Sequence, residues 1–156
     1  MSSKNIRYLV LTAVIAALYA LLTLILPINI ASVQLRVSEA LTLLPVLTDA
    51  AVPGLALGCV IANFLQGALL PDVIFGSLAT LIAAFLTRHL RKKVHLAALM
   101  PALCNGLIVG ALLTYVYHAL SLYLSIPSVA AGELVICYAL GIPMVRALEK
   151  TKIFQE

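Results

Sequence analysis

Apolar positions fill the chain in long, nearly uninterrupted stretches, and polar positions mark where each stretch ends. The first stretch runs from Ile6 to Leu26 and is closed by Pro27; about 20 apolar residues is the length a helix needs to cross a bilayer. From Val33 to Val37 the period drops to two, with Val33, Leu35 and Val37 alternating against Gln34 and Arg36. That alternation predicts a short extended segment outside the bilayer. A second apolar segment, 38–50, contains Pro45 and is short for a full crossing, so a re-entrant segment is its alternative. Segments 53–70 and 71–90 open on Pro53 and Pro71, where the missing proline N–H costs nothing. Segment 96–124, with a kink expected at Pro101, and segment 128–148, opened by Pro127, complete the pattern. The six elements predict an all-α integral membrane protein, one membrane domain over residues 1–156.

Composition agrees with this reading. The chain is 63% hydrophobic and 10% charged, against about 25% charged in soluble domains, so its surplus apolar surface must face lipid. The N-terminal Lys4 and Arg7 followed by an apolar run resemble a signal peptide. The run is long enough to span, however, and no small-residue cleavage site precedes Pro27, so it is read as a retained first helix.

Charge placement sets the expected topology. With six crossings, Lys4, Arg7, Arg88, Arg91, Lys92, Lys93, Arg146, Lys150 and Lys152 fall on one side and Arg36 alone on the other. The positive-inside rule then puts both termini in the cytoplasm. The net charge of +4 carries no nucleic-acid signal, because the main cluster, Arg88 to Lys93, sits between two apolar runs and lacks interleaved aromatics. Cys59, Cys104 and Cys137 stand singly inside apolar runs; with no CxxC they offer no redox or metal site and read as small buried hydrophobes. No cofactor-binding or metal-binding pattern is present.

Polar groups at membrane depth are costly and point to function. Counting helix rise at about 1.5 Å per residue places Glu133 about 7 Å inside a sixth helix that starts at Ser128. Asn63 and Asn105 fall near mid-membrane, Gln66 one turn beyond Asn63, and Asp72, Glu39 and Arg36 toward the outer side. All lie in the middle or outer half, which predicts a pocket open to the outside and closed below. Each has a plainer role open to it. Glu133 could pair with Arg36, the amides could be interhelical hydrogen-bond glue, and Asp72 could be a helix cap. Arg36 and Glu39 could form an exposed ion pair, and Tyr115, Tyr117 and Tyr123 could be interfacial anchors. In the first helix Ala13 and Ala17, like Ala16 and Ala20, are four apart, a spacing that lets another helix approach closely.

An intramembrane hydrolase is disfavoured, since His89, His95 and His118 fall at helix ends or links, away from any mid-membrane nucleophile. No Gly-x-x-x-x-Gly-Lys-Ser/Thr phosphate loop occurs, so an energised transporter built on this chain needs partner subunits. A secondary transporter or channel working alone is the alternative.

Three segments carry a more specific signal: Gln34 to Pro45 (QLRVSEALTLLP), Gly54 to Asn63 (GLALGCVIAN) and Asp72 to Leu81 (DVIFGSLATL). Together with Cys104-Asn105-Gly106, Val109-Gly110, Gly132-Glu133 and Tyr138, they resemble, in order and over most of the chain, the queuosine-precursor transporter (QueT) family. The resemblance implies a six-helix substrate-binding component (S-component) of an energy-coupling factor (ECF) ABC importer in the bacterial cell membrane. It implies capture of a deazaguanine base from outside the cell, and partnership with a membrane scaffold protein and two ABC ATPases. On that reading Glu133 accepts the base's N–H donors, with Glu39 second to it, and Asn105 and Asn63 read the remaining edge. Asp72 would meet an aminomethyl cation, Tyr138 would stack on the base and Arg36 would orient a carboxylate or gate the outer loop. Ala13, Ala16, Ala17 and Ala20 would form the face that docks on the scaffold.

Overall fold

A computed structural model describes residues 3–30, 33–151 and 154, with only the backbone for 27–30 and 33–35; Lys152 lies outside these residues. Helix α1 covers Ser3–Ile25. Thr12, Ile15, Ala16, Tyr19, Ala20 and Thr23 are buried, while Leu9, Val10, Val14, Leu18 and Leu21 are exposed. The three- and four-residue spacing of the buried set makes one inward face, and the outward face is the greasier of the two. Such a helix suits lipid, not water.

After α1 the chain forms an antiparallel hairpin, β1 (Pro27–Ile30) and β2 (Val33–Arg36), with Pro27 opposite Arg36. The period-two stretch of the sequence is thus a strand of this hairpin. Its second strand packs against α6, introduced below.

The segment expected at 38–50 departs most from expectation. It is a 3₁₀ helix over Val37–Val46, and every residue from Ser38 to Val46 is buried. At about 2.0 Å rise per residue it is about 20 Å long, short of the roughly 30 Å hydrocarbon core. It is wrapped by α1 and by helices that follow it in the chain, so it threads the bundle's centre and presents nothing to lipid. A helix that is apolar all round is accommodated in that way.

Around it stand α2 (Ala51–Leu65), α3 (Leu70–His89), the short α4 (Val94–Ala97), α5 (Leu99–Tyr115), α6 (Leu122–Ile136) and α7 (Ile142–Glu149). A π-helical turn, Cys137–Gly141, joins α6 to α7. Four stretches are long and apolar enough to cross a membrane: Ser3–Ile25, Leu70–His89, Val94–Tyr115 and Leu122–Glu149. The 3₁₀ helix and α2 are the two shorter apolar helices.

Three boundaries need correction, the first being the third stretch, which ends at Leu65 and not at residue 70. The fifth stretch ends at Tyr115, not at residue 124, and the sixth begins at Leu122, not at 128. Pro127 lies inside α6, where membrane helices tolerate proline. Tertiary packing overrides the local signal here: a Cβ on Gly110 would stand 2.8 Å from the Ile126 Cα, so α5 and α6 touch backbone to backbone just where the proline falls. Pro101 lies in the first turn of α5, and the helix breaks at Ala98, three residues before it.

Close packing also joins α1 to α2. A Cβ on Gly58 would lie 2.8 Å from the Ala16 carbonyl oxygen, so only glycine permits this approach. Ala16 and Ala20 are each 6% exposed and belong to this internal seam. Ala13 and Ala17 face outward. The four alanines lie within one arc of about 100° at 100° of rotation per residue, but α2 covers the Ala16/Ala20 side of that arc and leaves the Ala13/Ala17 side, about 60° around, exposed.

The two ends of the bundle differ chemically. At one end the start of α1, the link 47–50, the end of α3 and α4 come together, through Thr12 Oγ1 donating to the Ala50 carbonyl (3.2 Å) and Thr87 Oγ1 donating to the Ala97 carbonyl (3.3 Å). Arg88 lies there too. Its guanidinium donates to the Pro45 and Val46 carbonyls (3.1 and 3.3 Å) and to both carboxylate oxygens of Asp49 (2.5 and 2.6 Å). One basic side chain thereby caps the 3₁₀ helix, whose last carbonyls have no partner of their own. The opposite end holds the hairpin, the α2–α3 turn and the α5–α6 loop.

Candidate functional site

The polar residues singled out from the sequence converge at that opposite end, around the first turn of the 3₁₀ helix. Ser38 sits level with Thr23 of α1, their hydroxyls 2.8 Å apart, so the chain re-enters the bundle below the end of α1 and carries Glu39 inside. Glu39 is 4% exposed. Its Oε1 accepts a hydrogen bond from the Tyr19 hydroxyl at 2.5 Å; its Oε2 has no partner among the described residues.

Glu133 shows the same division. Asn105 Nδ2 on α5 donates to Glu133 Oε1 on α6 at 2.7 Å, and Glu133 Oε2 and Asn105 Oδ1 are both buried without a partner among the described residues. Because α6 starts at Leu122, Glu133 lies eleven residues in, about 16 Å along the helix by its rise. It is much deeper than a start at Ser128 implies.

Arg36 closes the hairpin beside these groups. Its Nη1 donates to Asn63 Oδ1 at 3.3 Å, and it lies within electrostatic reach of Glu39, Asp72 and Glu133. Glu39 and Glu133 are within reach of each other. Asn63 Nδ2 donates to the Asp72 carbonyl at 3.4 Å and approaches Cys59 Sγ at 3.5 Å. Asp72 is 8% exposed, and its Oδ2 accepts from the Tyr117 hydroxyl at 3.1 Å. Tyr117 Oη in turn accepts the Leu69 backbone N–H at 3.4 Å, tying the α5–α6 loop to the α2–α3 turn.

Six of the seven predicted binding residues therefore gather here: Glu39, Glu133, Asn105, Asn63, Asp72 and Arg36. Tyr138 does not join them. It lies in the π-helical turn, donates its hydroxyl to the His95 carbonyl at 2.9 Å and stands beside the His95 ring with centroids 6.0 Å apart. That contact faces the basic end. Tyr138 follows Glu133 by five residues, about 140° around an α-helix at 100° per residue, so the two do not share a face.

The plainer roles separate in the same way. Glu133 hydrogen-bonds to Asn105, not Arg36, and Arg36 and Glu39 form no exposed pair, Glu39 being buried. Gln66 does act as glue, donating to the Thr23 carbonyl at 3.2 Å. Two participants escaped the sequence reading. Tyr117 reads as an interfacial anchor, and Tyr19 is an aromatic in an apolar helix; only its position one turn before Thr23, on the inward face, marks it.

The open atoms say what the cluster can do. Buried polar groups are nearly always satisfied, and each one left bare costs about 1–3 kcal/mol. Here Glu39 Oε2, Glu133 Oε2 and Asn105 Oδ1 are all acceptors. The arrangement suits a ligand that brings several N–H donors and no acid group.

An apolar exterior enclosing this acceptor-rich centre defines a multi-pass membrane protein with an internal polar site. The chain belongs to the QueT transporter family, whose model matches residues 9–150. That is the family its motifs resemble, and it makes the chain a transport protein. No curated protein and no solved structure matches it.

Proposed function

We propose that this chain is the substrate-binding component of an energy-coupling factor importer and captures a deazaguanine precursor of queuosine from outside the cell. The observation that carries the reading is the set of three buried, open acceptors on Glu39, Glu133 and Asn105. A deazaguanine presents ring and exocyclic N–H donors along one edge, and carboxylates accept such donors as strong, charge-assisted bonds. Glu133 and Asn105 form the deeper reading edge, and Glu39 faces them from the 3₁₀ helix. Asp72 supplies a further anion for a substrate carrying an aminomethyl cation.

On this reading Arg36 couples capture to closure. It ends the hairpin and bonds to Asn63 on α2, so ligand contact with the carboxylates is transmitted to the outer loop. Entry is from the hairpin end. The opposite end carries Lys4, Arg7, Arg88, Arg91, Lys92, Lys93, Arg146 and Lys150, which puts it in the cytoplasm.

Energy comes from a membrane scaffold protein and two ABC ATPases. Of the α1 alanines, Ala13 and Ala17 are available to dock on the scaffold, since Ala16 and Ala20 are occupied by α2.

Isothermal titration of the detergent-purified full chain with queuosine precursors, using guanine and riboflavin as controls, tests the proposal. Tight binding of a deazaguanine with weak or silent controls supports it. A stable, monodisperse sample that binds none of them rejects the substrate assignment. Uptake that proceeds without ATP and coupling subunits would favour a transporter working alone.

A further inference from the structure

We propose that the basic end of the bundle holds a binding site for the phosphate of an anionic phospholipid, in the cavity between the end of α3 and the link that follows the 3₁₀ helix. The cavity has a volume of about 530 Å³ and is lined by Asp49, Phe85, Arg88, His89 and the run Leu90 to Lys93. Its chemistry is one-sided. Asp49 is the one acid on the wall, and Arg88 already neutralises it through two hydrogen bonds. Arg91, Lys92 and Lys93 have no acidic partner among the described residues. Three uncompensated cations therefore face one concavity at the level where lipid headgroups lie.

The wall also has an apolar part, and this selects a lipid over a free anion. Phe85 is 65% exposed and stands one turn before His89 on α3, so the two share a helix face. An anionic phospholipid offers a phosphate to the cations and an acyl chain to Phe85 at the same time, so the apolar contact anchors the anion at the cavity, which a free phosphate cannot do. Basic pockets between membrane helices take lipid headgroups for this reason, each Lys or Arg near the surface strengthening binding about fivefold. The site lies at the far end of the bundle from Glu39 and Glu133 and does not depend on what those residues bind.

Native mass spectrometry of the full chain in detergent, titrated with phosphatidylglycerol or phosphatidylcholine, tests the inference. The unmodified chain is expected to retain one phosphatidylglycerol and to discriminate against phosphatidylcholine. A K92Q/K93Q double variant should bind phosphatidylglycerol about twenty- to thirtyfold more weakly. A charge-matched K4Q/K150Q variant should bind it as the unmodified chain does, and thermal unfolding checks that both fold. Equal weakening in the two variants would overturn the site in favour of diffuse attraction, and so would no weakening in either. Displacement of the lipid by excess inorganic phosphate would overturn the lipid assignment in favour of a free-anion site.

Discussion

Asn105 Nδ2 lies 2.7 Å from Glu133 Oε1, so that α5 and α6 share a buried amide–carboxylate bond while Glu133 Oε2 and Asn105 Oδ1 stay open. Tyr19 and Glu39 repeat the pattern across α1 and the 3₁₀ helix. In each carboxyl group the protein holds one oxygen and leaves the other. The held oxygen fixes direction and the open one is what a ligand meets, which is how preorganisation reduces the ordering cost of binding.

Glu133→Gln should keep the fold, because a glutamine carbonyl can still accept from Asn105. It should weaken deazaguanine binding by about ten- to a hundredfold, the worth of one hydrogen bond to a charged group. Titration calorimetry on the folded variant measures this, and unchanged affinity would remove Glu133 from the site.

Tyr19→Phe leaves both oxygens of Glu39 without a partner. We expect a loss of about 1–3 kcal/mol in thermal or denaturant unfolding, relieved in part by substrate. A variant as stable as the parent would mean that the Tyr19 hydroxyl does not hold Glu39.

Arg88→Ala and Asp49→Asn should differ. Arg88→Ala bares the Pro45 and Val46 carbonyls at the end of a buried helix, with an expected cost of about 2 kcal/mol. Asp49 is 57% exposed, so Asp49→Asn should cost under about 1 kcal/mol. Equal losses would show that the ion pair, not the cap, matters.

Gly58→Ala places a methyl group 2.8 Å from the Ala16 carbonyl. Forcing α1 and α2 apart should cost about 1–3 kcal/mol, read as a lower unfolding temperature in detergent. No shift would mean that the seam is looser than its geometry.

Ala17→Trp should leave substrate binding by the isolated chain intact and abolish ATP-driven uptake by the reconstituted importer, since Ala17 faces outward. Ala16→Trp should instead damage the fold itself. Wild-type uptake by Ala17→Trp would exclude this face from docking.

What could be read along the chain was whatever depends on local sums. Apolar run length gave the membrane class, basic clusters gave one charged end, and period two at 33–37 gave the extended segment that became β2. Individual polar residues in apolar surroundings were legible too, because their burial cost does not depend on a partner: Glu39, Glu133, Asn63, Asn105 and Asp72 all proved to be inside. Partnership was not legible. Tyr19 meets Glu39 across 20 positions, Asn105 meets Glu133 across 28, Arg88 meets Asp49 across 39 and Tyr117 meets Asp72 across 45, and nothing in hydropathy or spacing encodes those distances.

The same limit explains the elements that changed. Residues 38–46 carry the composition of a lipid-facing span, but hydropathy cannot distinguish lipid from the interior of a bundle, since both are apolar. Only the packing of the surrounding helices decides that the segment is central and short. Pro127 reads as a helix start by its own chemistry and is carried inside α6, whose neighbouring Ile126 packs on Gly110. Tyr138 leaves the site because five residues of helix turn it about 140° from Glu133, and its hydroxyl bonds to the His95 carbonyl instead. Sequence determined which groups leave water, as a matter of solvation; tertiary structure alone decided which of them face lipid and which meet inside, because contact is set by helix register and packing between distant segments.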